Sequence, residues 1–414
     1  MIALLQALAG IPAKWDHFAE KESRQINMLE QIPMQPFSLA SVPEIIFGNG
    51  RLSDLPGHVT RLAGKGRAVM IIADPAMTSL GVTAKLVKLL ADAGHETSVY
   101  DGFTGEPKSA DIDHAASRAR DAKARAVIGL GGGTALDTAK LVAACAVSGK
   151  QAQAYQFCET ALPAEPLALI AVPTTAGTGA EVTRTSIFTN AGHQKVWAWG
   201  DRLKPRLALL DPELTVGVPA AVTAATGLDA LVHAIEASTN RNRSDANDLY
   251  CHRAIGLISG ALEKAVKAPQ DLEARGSLLL GSCYAGIGID NAGTALAHNI
   301  SHAMSELAPV PHGRATGLAM LATIDWVRDG NPEAFAKVAG AMAGAEDVIA
   351  AYDSLVRRSG IKVGLGGDGL DLTRPERLAE RMASFAHAPM RRNTVRDVSD
   401  DDLLRLAERV YALA

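Results

Sequence analysis

The amino-acid sequence predicts an α/β domain with a parallel sheet, followed by a domain made only of helices. Short apolar runs alternate with helical stretches from about residue 37 to residue 219. After Pro219 the strand pattern fades, and apolar residues recur at intervals of three and four. Continuous apolar strands separated by helices are typical of a parallel sheet covered on both faces. We therefore divide the chain into an N-terminal extension (1–36), an α/β domain (37–219) and a helical domain (220–414).

The strands of the α/β domain are predicted from four short runs of apolar residues. They cover residues 68–73, 126–130, 167–172 and 207–210. A run of this length without polar alternation predicts a strand that is buried on both faces. Helices are expected between these strands, at 83–93 and 112–122.

The helical domain is predicted from six segments with apolar residues three and four positions apart. They are 220–239, 245–267, 272–287, 294–305, 333–342 and 399–413. Ligands usually bind between two such domains, so the site is expected in the cleft that they form. The N-terminal extension is expected to be a helix that ends near Pro36.

The composition is that of an ordinary soluble enzyme and excludes several other classes. Of the 414 residues 48% are hydrophobic and 21% are charged. The net charge of −4 gives no reason to expect nucleic acid or an anionic membrane as a partner. No apolar run approaches the roughly 20 residues of a membrane span, and no basic segment precedes the apolar residues 1–10, so no signal peptide is expected. The four cysteines form no Cys-x-x-Cys pair, which favours a reducing cytoplasm.

A glycine-rich turn follows the second predicted strand. It reads Gly129-Leu-Gly-Gly-Gly-Thr134 and opens a helix. Glycines let backbone amides approach a phosphate closely, and the N-terminus of a helix adds positive potential. The segment therefore predicts a phosphate-binding loop, although its spacing is neither that of a P-loop nor that of the usual Rossmann motif. A plain tight turn is the alternative.

Two further polar segments stand at strand ends in the same domain. Asp74 follows the first strand, where a carboxylate can accept hydrogen bonds from an adenosine ribose and repel a 2′-phosphate, which favours NAD over NADP. A helix cap before Pro75 is the alternative. The loop from Thr174 to Thr183 is rich in threonine and glycine and follows the third strand. It is a candidate contact for a nicotinamide, or else a polar connection.

Histidines and a carboxylate at helical spacing predict a metal site in the helical domain. Asp229 and His233 are four residues apart, as are His298 and His302, and His312 follows in a Pro-His-Gly sequence. Residues four apart project from one face of a helix, so Asp229 and His233 can bind one ion together. A carboxylate with several imidazoles suits Fe(II) or Zn(II) and not calcium. A hydrogen-bonded helix face without metal is the alternative for each pair.

Taken together, these segments resemble the iron-containing (group III) alcohol dehydrogenases, from about Phe37 to the C-terminus. The motifs that carry the resemblance are Gly131-Gly-Gly-Thr-Ala-Leu-Asp137, Pro173-Thr-Thr-Ala-Gly-Thr-Gly-Ala-Glu-Val-Thr183, Leu210-Asp-Pro-Glu-Leu214, Thr226-Gly-Leu-Asp-Ala-Leu-Val-His-Ala-Ile-Glu236 and the histidine segment that ends at His312-Gly313. The resemblance implies an architecture shared with dehydroquinate synthase. It comprises an N-terminal dinucleotide-binding domain and a helical C-terminal domain, commonly in a homodimer.

The resemblance also implies roles for individual residues. It implies that a metal ion is bound by Asp229, His233, His298 and His312. It implies that NAD is bound by Asp74, Gly131, Gly132, Gly133, Thr134, Asp137, Thr174, Thr175, Thr178 and Thr183. His302 matches the histidine that lies beside the nicotinamide and the substrate. Glu236 is interpreted as orienting the helix or a ligand and is not assigned to the metal.

The chain departs from the family pattern where the substrate is expected to bind. The usual His-x-x-Gly-Ala is here His302-Ala-Met-Ser-Glu306, and tryptophans 197 and 199 replace smaller residues. The candidate lining of the substrate pocket is Thr185, Trp197 and Ile289, with Arg184, Asp290 and Trp199 near it. An apolar wall suits a short primary alcohol or aldehyde, whereas Arg184 would pair with an acidic group of a substrate.

The expected reaction is the transfer of a hydride between NAD and a small primary alcohol or aldehyde. A metal ion with an open position stabilises negative charge on the alcohol oxygen, nicotinamide C4 accepts the hydride, and His302 relays the released proton. The same chemistry on an acidic hydroxy or aldehyde substrate is one alternative. A lyase of the dehydroquinate synthase type, which would need a basic substrate pocket, is another. A non-catalytic filament or interaction protein is a third, and the complete metal and cofactor sets argue against it.

Overall fold

Parallel strands form the sheet of the α/β domain. The structure is a computed structural model, and it describes residues 36–103 and 105–413. The strands are β1 (Glu44–Phe47), β2 (Val69–Ala73), β3 (Thr97–Tyr100), β4 (Ala126–Gly131), β5 (Ala168–Pro173), β6 (Thr185–Thr189), β7 (Lys195–Trp199) and β8 (Leu207–Leu210). Six of them form one sheet in the order β1-β8-β5-β4-β2-β3, in which all neighbours are parallel. Strands β6 and β7 form a separate antiparallel hairpin.

Successive side chains of each strand point to opposite faces of the sheet, and helices cover both faces. The helices of this domain are α1 (Leu55–Ala63), α2 (Pro75–Ser79), α3 (Val82–Asp92), α4 (Ser109–Asp121) and α5 (Gly133–Ser148). Met70 of β2 shares an apolar core with residues of α4 and α5, whereas its neighbour Ile71 shares another with residues of α1 and α3. The predicted parallel sheet covered on both faces is thus confirmed.

The strands that the sequence did not predict have a different burial pattern. Strands β1 and β3 lie at the two edges of the sheet, and most of their residues are partly exposed. In the hairpin of β6 and β7, buried residues alternate with more exposed ones. These four strands therefore lack the continuous apolar run that marks β2, β4, β5 and β8.

The C-terminal part of the chain is helical, as predicted. The helices are α6 (Ala220–Thr239), α7 (Asp245–Lys267), α8 (Leu272–Ala292), α9 (Leu296–Leu307), α10 (His312–Arg328), α11 (Pro332–Ala341), α12 (Val348–Arg358), α13 (Pro375–Met382), α14 (Ala388–Asn393) and α15 (Asp400–Tyr411). Short 3-10 helices span Arg51–Asp54, Ala152–Cys158, Asp201–Leu203, Pro212–Thr215 and Phe385–His387. Helix α6 is central: every residue from Gly227 to Thr239 is buried, and α7, α8 and α10 pack around it.

Helices α6 and α7 begin and end at the predicted residues, and α8, α9, α11 and α15 overlap predicted segments. The sequence did not predict α10, α12, α13 and α14. Small and polar residues such as Gly313 and Gly317 interrupt the apolar pattern of α10. The helix predicted for the N-terminal extension falls on residues outside the described ranges. Within those ranges, no helix is both long and apolar enough to cross a membrane.

Two glycines lie face to face where the α/β domain meets the helical region. A Cβ atom added to Gly179 would lie 2.4 Å from the Cα atom of Gly286 in α8, and one added to Gly286 would lie 2.7 Å from the carbonyl oxygen of Gly179. Gly179 also has a φ of +62°, which side chains disfavour. The threonine-rich loop can therefore contact α8 only because both residues are glycine.

We expect Gly286→Ala to lower the free energy of unfolding by on the order of 1–3 kcal/mol, because the added methyl group must displace backbone atoms. Gly260→Ala in α7 is the matched control, since nothing lies within 4 Å of its Cβ position and alanine is favoured over glycine in a helix by about 1 kcal/mol. Urea unfolding measures both variants. Equal stability of the two would contradict the close approach.

Candidate metal and nucleotide site

The three loops predicted to bind the cofactor meet at one edge of the sheet. They follow β2, β4 and β5, which are parallel neighbours. The backbone N–H of Asp74 donates to the carbonyl of Leu130 at 2.8 Å, and that of Thr174 donates to the carbonyl of Gly131 at 3.0 Å. The strand order reverses between β2 and β4, since the chain continues from β2 to β3 on one side and from β4 to β5 on the other. Ligands of open α/β sheets bind at such a reversal.

The glycine-rich turn allows the threonine-rich loop to approach it. A Cβ atom on Gly132 would lie 3.2 Å from Thr175 Oγ1, and one on Gly133 would lie 2.7 Å from Thr178 Cγ2. Helix α5 starts at Gly133, so the N–H groups of its first turn have no partner within the helix. This end of the helix is suited to bind a phosphate.

Asp74 caps the N-terminus of α2, which is the alternative role that the sequence suggested for it. Its Oδ1 atom accepts a hydrogen bond from the backbone N–H of Ala76 at 2.9 Å, at the start of α2. It also lies against Gly131, where an added Cβ atom would be 2.7 Å from Asp74 Cβ. Asp74 thus stands beside the glycine-rich turn, and contact with a ribose stays a prediction.

Asp137 has partners within the protein. Its carboxylate accepts hydrogen bonds from Lys140 Nζ at 3.1 Å and from the backbone N–H of Ile187 at 3.0 Å. Lys140 is fully buried, and it also donates to Thr183 Oγ1 at 2.9 Å and to the carbonyl of Thr185. Asp137 and Lys140 therefore hold the start of β6 against α5. Lys140 was not among the predicted residues, although its spacing of three from Asp137 on a helix favours such a pair.

A cavity of about 380 Å³ lies between the sheet edge and the helical region. The predicted residues that line it are Gly133, Thr134, Asp137, Thr178, Thr183, Thr185, Asp229, His233, Ile289, His298, His302 and His312. The predicted residues that do not line it are Asp74, Gly131, Gly132, Thr174, Thr175 and Trp197. One cavity thus joins the glycine-rich turn, the threonine-rich loop and the histidine cluster.

Three helices bring together a carboxylate and two imidazoles. Asp229 lies on α6, His298 on α9 and His312 at the first residue of α10, and one ligand atom from each lies within 4.8 Å of the others. Asp229 Oδ1 is 3.6 Å from both His298 Nε2 and His312 Nε2, too far for hydrogen bonds. Donor atoms around a tetrahedral ion lie roughly 3.4 Å apart. The spacing of these three atoms therefore fits a divalent ion.

Buried polar atoms of this cluster support the same fit. Asp229 Oδ1 and His298 Nε2 are both buried and have no hydrogen-bond partner among the residues that the structure describes. Such atoms are rare in folded proteins because each costs free energy. A cation between them would satisfy both.

His233, the remaining predicted ligand, stands next to this cluster. Its ring stacks on that of His298, with centroids 4.5 Å apart and an angle of 15° between the planes. Its Nδ1 atom lies 3.2 Å from the carbonyl oxygen of Gly177. Donation from Nδ1 leaves the lone pair on Nε2, the tautomer that a metal ligand needs.

Glu236 orients His298 and caps α9, in agreement with its interpretation from the sequence. Its carboxylate accepts hydrogen bonds from the backbone N–H groups of Ala295 at 2.7 Å and Ala297 at 2.6 Å, and lies 2.6 Å from His298 Nδ1. A carboxylate near the N-terminus of a helix is also favoured by the helix dipole. Glu236 therefore fixes the ring of His298 so that Nε2 points to Asp229.

His312 reaches the cluster because a glycine follows it. His312 is the first residue of α10. A Cβ atom on Gly313 would lie 2.3 Å from the carbonyl oxygen of Ala225 and 3.1 Å from Asp229 Cβ. The glycine thus lets the start of α10 pack directly on α6.

The histidines differ in protonation because their surroundings differ. Burial lowers the pKa of His233 to about 4 and that of His312 to about 3. Burial also lowers the pKa of His302, with Lys195 adding to the effect. For His298 burial acts in the same direction, but the carboxylates of Glu236 and Asp229 outweigh it and raise the pKa to about 9. Near neutral pH the imidazoles of His233, His302 and His312 are therefore uncharged.

The structure corrects two expectations about the substrate pocket. The Trp197 ring does not line the cavity but packs edge-on against Phe157, with centroids 5.7 Å apart. Arg184 does not face the cavity either, because its guanidinium is held by Asp290 and Asp201. The partners of Arg184 are far away in sequence, so no local pattern reveals them.

A lysine that the sequence analysis missed lines the same cavity. Lys195 Nζ lies 2.7 Å from Glu106 Oε1, and both residues belong to the cavity wall. Lys195 is the first residue of β7, in the hairpin that was not predicted. Lys195 alternates with more buried residues along β7, and this period of two was the pattern by which the strand could have been predicted.

We expect Glu236→Gln to destabilise the metal-free protein in a pH-dependent way. A histidine with a raised folded-state pKa stabilises the fold fully below its unfolded value of about 6.5 and loses this contribution as the pH rises through about 9. The variant should be less stable by on the order of a few kcal/mol near pH 6, and the gap should narrow toward pH 10. Denaturant unfolding across this range measures it, with the exposed Glu333→Gln as control. A gap that does not change with pH would contradict the role of Glu236.

This chain is similar over most of its length to proteins of known sequence and structure. It is 33% identical over 357 residues to a probable alcohol dehydrogenase, EutG, of Escherichia coli (strain K12), covering 84% of this chain and 89% of that protein. It is 35% identical over 364 residues to long-chain-alcohol dehydrogenase 1 of Geobacillus thermodenitrificans (strain NG80-2), covering 84% and 90%. The crystal structure of sulfoacetaldehyde reductase from Bifidobacterium kashiwanohense in complex with NAD+ has a TM-score of 0.84 at 27% identity, covering 91% and 99%.

Family comparisons cover both parts of the chain. Residues 43–212 match the family described as iron-containing alcohol dehydrogenase. Residues 223–411 match the C-terminal region described for the Fe-containing alcohol dehydrogenase family. The two matches include the glycine-rich turn, the threonine-rich loop and all the clustered histidines. The chain belongs to the iron-containing alcohol dehydrogenase family.

Proposed function

We propose that this protein is a metal-dependent oxidoreductase that transfers a hydride between NAD and a small primary alcohol or aldehyde. The observation that carries the proposal is the shared cavity, in which the cluster of Asp229, His298 and His312 faces the first turn of α5. A metal site and a phosphate-binding helix end on one cavity suit a reaction that needs both a Lewis acid and a nucleotide.

The proposed metal ligands are Asp229, His233, His298 and His312. The unpartnered buried atoms of Asp229 and His298 support this set, as does the uncharged state of the rings of His233 and His312. A carboxylate with imidazoles suits Fe(II), with Zn(II) as the alternative. A divalent ion bound there would stabilise negative charge on the alcohol oxygen.

The proposed cofactor is NAD, bound along the sheet edge. The N–H groups of the first turn of α5 would bind its pyrophosphate, and Asp74 beside the glycine-rich turn would accept hydrogen bonds from its adenosine ribose. Thr178 and Thr183 line the cavity between this turn and the histidines, where the nicotinamide would lie. The similar sulfoacetaldehyde reductase, whose structure contains NAD+, supports the choice of cofactor.

His302 is the proposed proton acceptor. Its ring lies 5.2 Å from that of His312 and lines the cavity. Burial lowers its pKa, so the ring is neutral near pH 7 and has a lone pair for the proton that leaves the alcohol.

The proposed substrate is a small primary alcohol or aldehyde, whose carbon chain would contact Thr185 and Ile289 in the cavity. An acidic hydroxy or aldehyde substrate is the second candidate. Lys195 lines the cavity and would bind the acidic group of such a substrate in place of Glu106, whereas Arg184 does not line the cavity.

We also propose a boundary between the two domains at residues 219 and 220, a homodimer and a cytoplasmic location. Strand β8 ends at Leu210 and α6 begins at Ala220, which supports the boundary. The family resemblance supports the homodimer. All four cysteines are free, which supports a reducing compartment. Light scattering tests the dimer, for which a mass of twice 43.3 kDa is expected.

A substrate panel on iron-loaded protein tests the proposed function. Primary alcohols of increasing length are supplied with NAD, and NADH formation is followed. The reverse reaction is run with the matching aldehydes and with sulfoacetaldehyde as the acidic probe. Steady NADH formation with a short alcohol is the expected result. Turnover of the acidic probe alone would favour the second substrate class, and no redox turnover of any compound would contradict the proposal.

Metal dependence is predicted to follow the proposed ligands. Asp229→Ala and His298→Ala should each lose the bound ion and turnover together, because each substitution removes a bond to the ion. His302→Ala should keep one ion per chain while its turnover falls by about 10²-fold or more, because it removes only the proton acceptor. Metal analysis and NADH formation are measured on each variant.

The exposed His114→Ala is the control for this series, since it should retain both the ion and the turnover. Full activity of a metal-free sample would contradict the metal dependence. A metal-free His302→Ala beside a metal-loaded His312→Ala would contradict the assignment of the ligands.

Cofactor preference is predicted to depend on the charge of Asp74. Asp74→Ser should raise kcat/KM with NADP relative to NAD, because it removes repulsion of the 2′-phosphate. Serine also caps helices well, so α2 keeps its cap and stability should change little. Measuring kcat/KM with both cofactors tests this. A wild-type preference for NADP would contradict the proposed position of the ribose.

A further inference from the structure

His387 is a buried histidine whose ring contacts that of His302. The rings of His302 and His387 meet edge to face, with centroids 5.8 Å apart and an angle of 85° between the planes. His387 is only 2% exposed and ends the short 3-10 helix before α14. His387 does not itself line the cavity.

His387 continues toward the surface through a carboxylate. Its Nε2 atom lies 2.9 Å from Oε1 of Glu306, whose side chain is 27% exposed. The other oxygen of Glu306 lies 3.7 Å from Arg381, an exposed residue of α13. A row of ionisable groups therefore runs from the cavity wall to solvent.

Helix α9 sets the spacing of this row. His298, His302 and Glu306 follow one another at intervals of four and so share one face of the helix. Helix α9 thus places Glu306 one turn beyond His302, where it contacts His387.

We propose that His387 and Glu306 exchange protons between the cavity and bulk water, an inference that rests on the proposed function. Oxidation of the alcohol breaks its C–H bond, whose hydride reduces NAD, and its O–H bond, whose proton must leave the cavity. That proton reaches His387 on Nδ1, the ring nitrogen that does not contact Glu306. The proton on Nε2 passes to Glu306 and then to water. In the reverse direction each step takes a proton inward.

The charges around the pair suit this transfer. The groups that face it are His302 on α9, Arg381 on α13 and Lys195 on β7. The hydrogen bond with His387, together with Arg381 and Lys195, lowers the pKa of Glu306 although burial opposes the shift. An ionised Glu306 accepts a hydrogen bond from Nε2 of His387, which leaves Nδ1 free to receive a proton. The same carboxylate releases a proton readily to water.

The test uses the iron-loaded protein with NAD and 1-propanol, and compares His387→Gln with Glu306→Gln. Turnover is measured at fixed pH and ionic strength with increasing imidazole, in H2O and in D2O. Glu263→Gln is the matched control, since it is a surface glutamate that also pairs with cations, at Lys267 and Arg358. Metal content and the unfolding temperature are recorded for every variant.

In both variants kcat should fall about tenfold or more at low imidazole, with metal content and the KM for NAD unchanged. Added imidazole should restore kcat, and the solvent isotope effect should exceed that of the wild type. The wild type and the control should not respond to imidazole. Unchanged kcat in both variants would overturn the inference, as would a loss that imidazole does not restore and that follows a lower unfolding temperature. Failure of the wild type to form NADH would instead overturn the proposed function.

Discussion

A buried carboxylate, Asp229, is the constraint on which the arrangement of the site depends. It is 2% exposed, and its Oδ1 atom has no hydrogen-bond partner within residues 36–103 and 105–413. Removing a carboxylate from water costs several kcal/mol unless an opposite charge compensates. The rings of His233 and His312 are uncharged near neutral pH, and the single positive charge that the raised pKa gives His298 is shared between Asp229 and Glu236. A divalent cation, as proposed, would compensate Asp229 and would also explain why histidines from two other helices converge on it.

The packing around Asp229 connects this constraint to the rest of the fold. Helix α6 is buried all round from Gly227 to Thr239, and α10 starts directly on it because residue 313 is glycine. Glu236, two turns after Asp229 on α6, holds the start of α9 and thereby His298. On the other side of the cavity, the contact of Gly179 with Gly286 attaches the threonine-rich loop to α8. Small residues at these contacts bring the metal cluster and the sheet edge to one cavity.

The sequence was informative where one local pattern decides the structure. Strands buried on both faces and helices α6 and α7 were predicted within two residues, because their apolar patterns are continuous or strongly periodic. Edge strands and the hairpin of β6 and β7 were missed, because partial exposure weakens that pattern. Residues whose partners are distant in sequence were also misjudged. Arg184 pairs with Asp290 across 106 positions, and Trp197 packs on Phe157, so neither faces the cavity.

Anomalous diffraction at the iron absorption edge, from crystals of the iron-loaded protein, tests the central claim most directly. The account predicts one anomalous peak per chain, about 2.0–2.3 Å from Asp229 Oδ1, His298 Nε2 and His312 Nε2. His233 should supply the fourth ligand, and the ring of His302 should stay unbound. A peak coordinated by His302, or no peak between Asp229 and His298, would contradict the account.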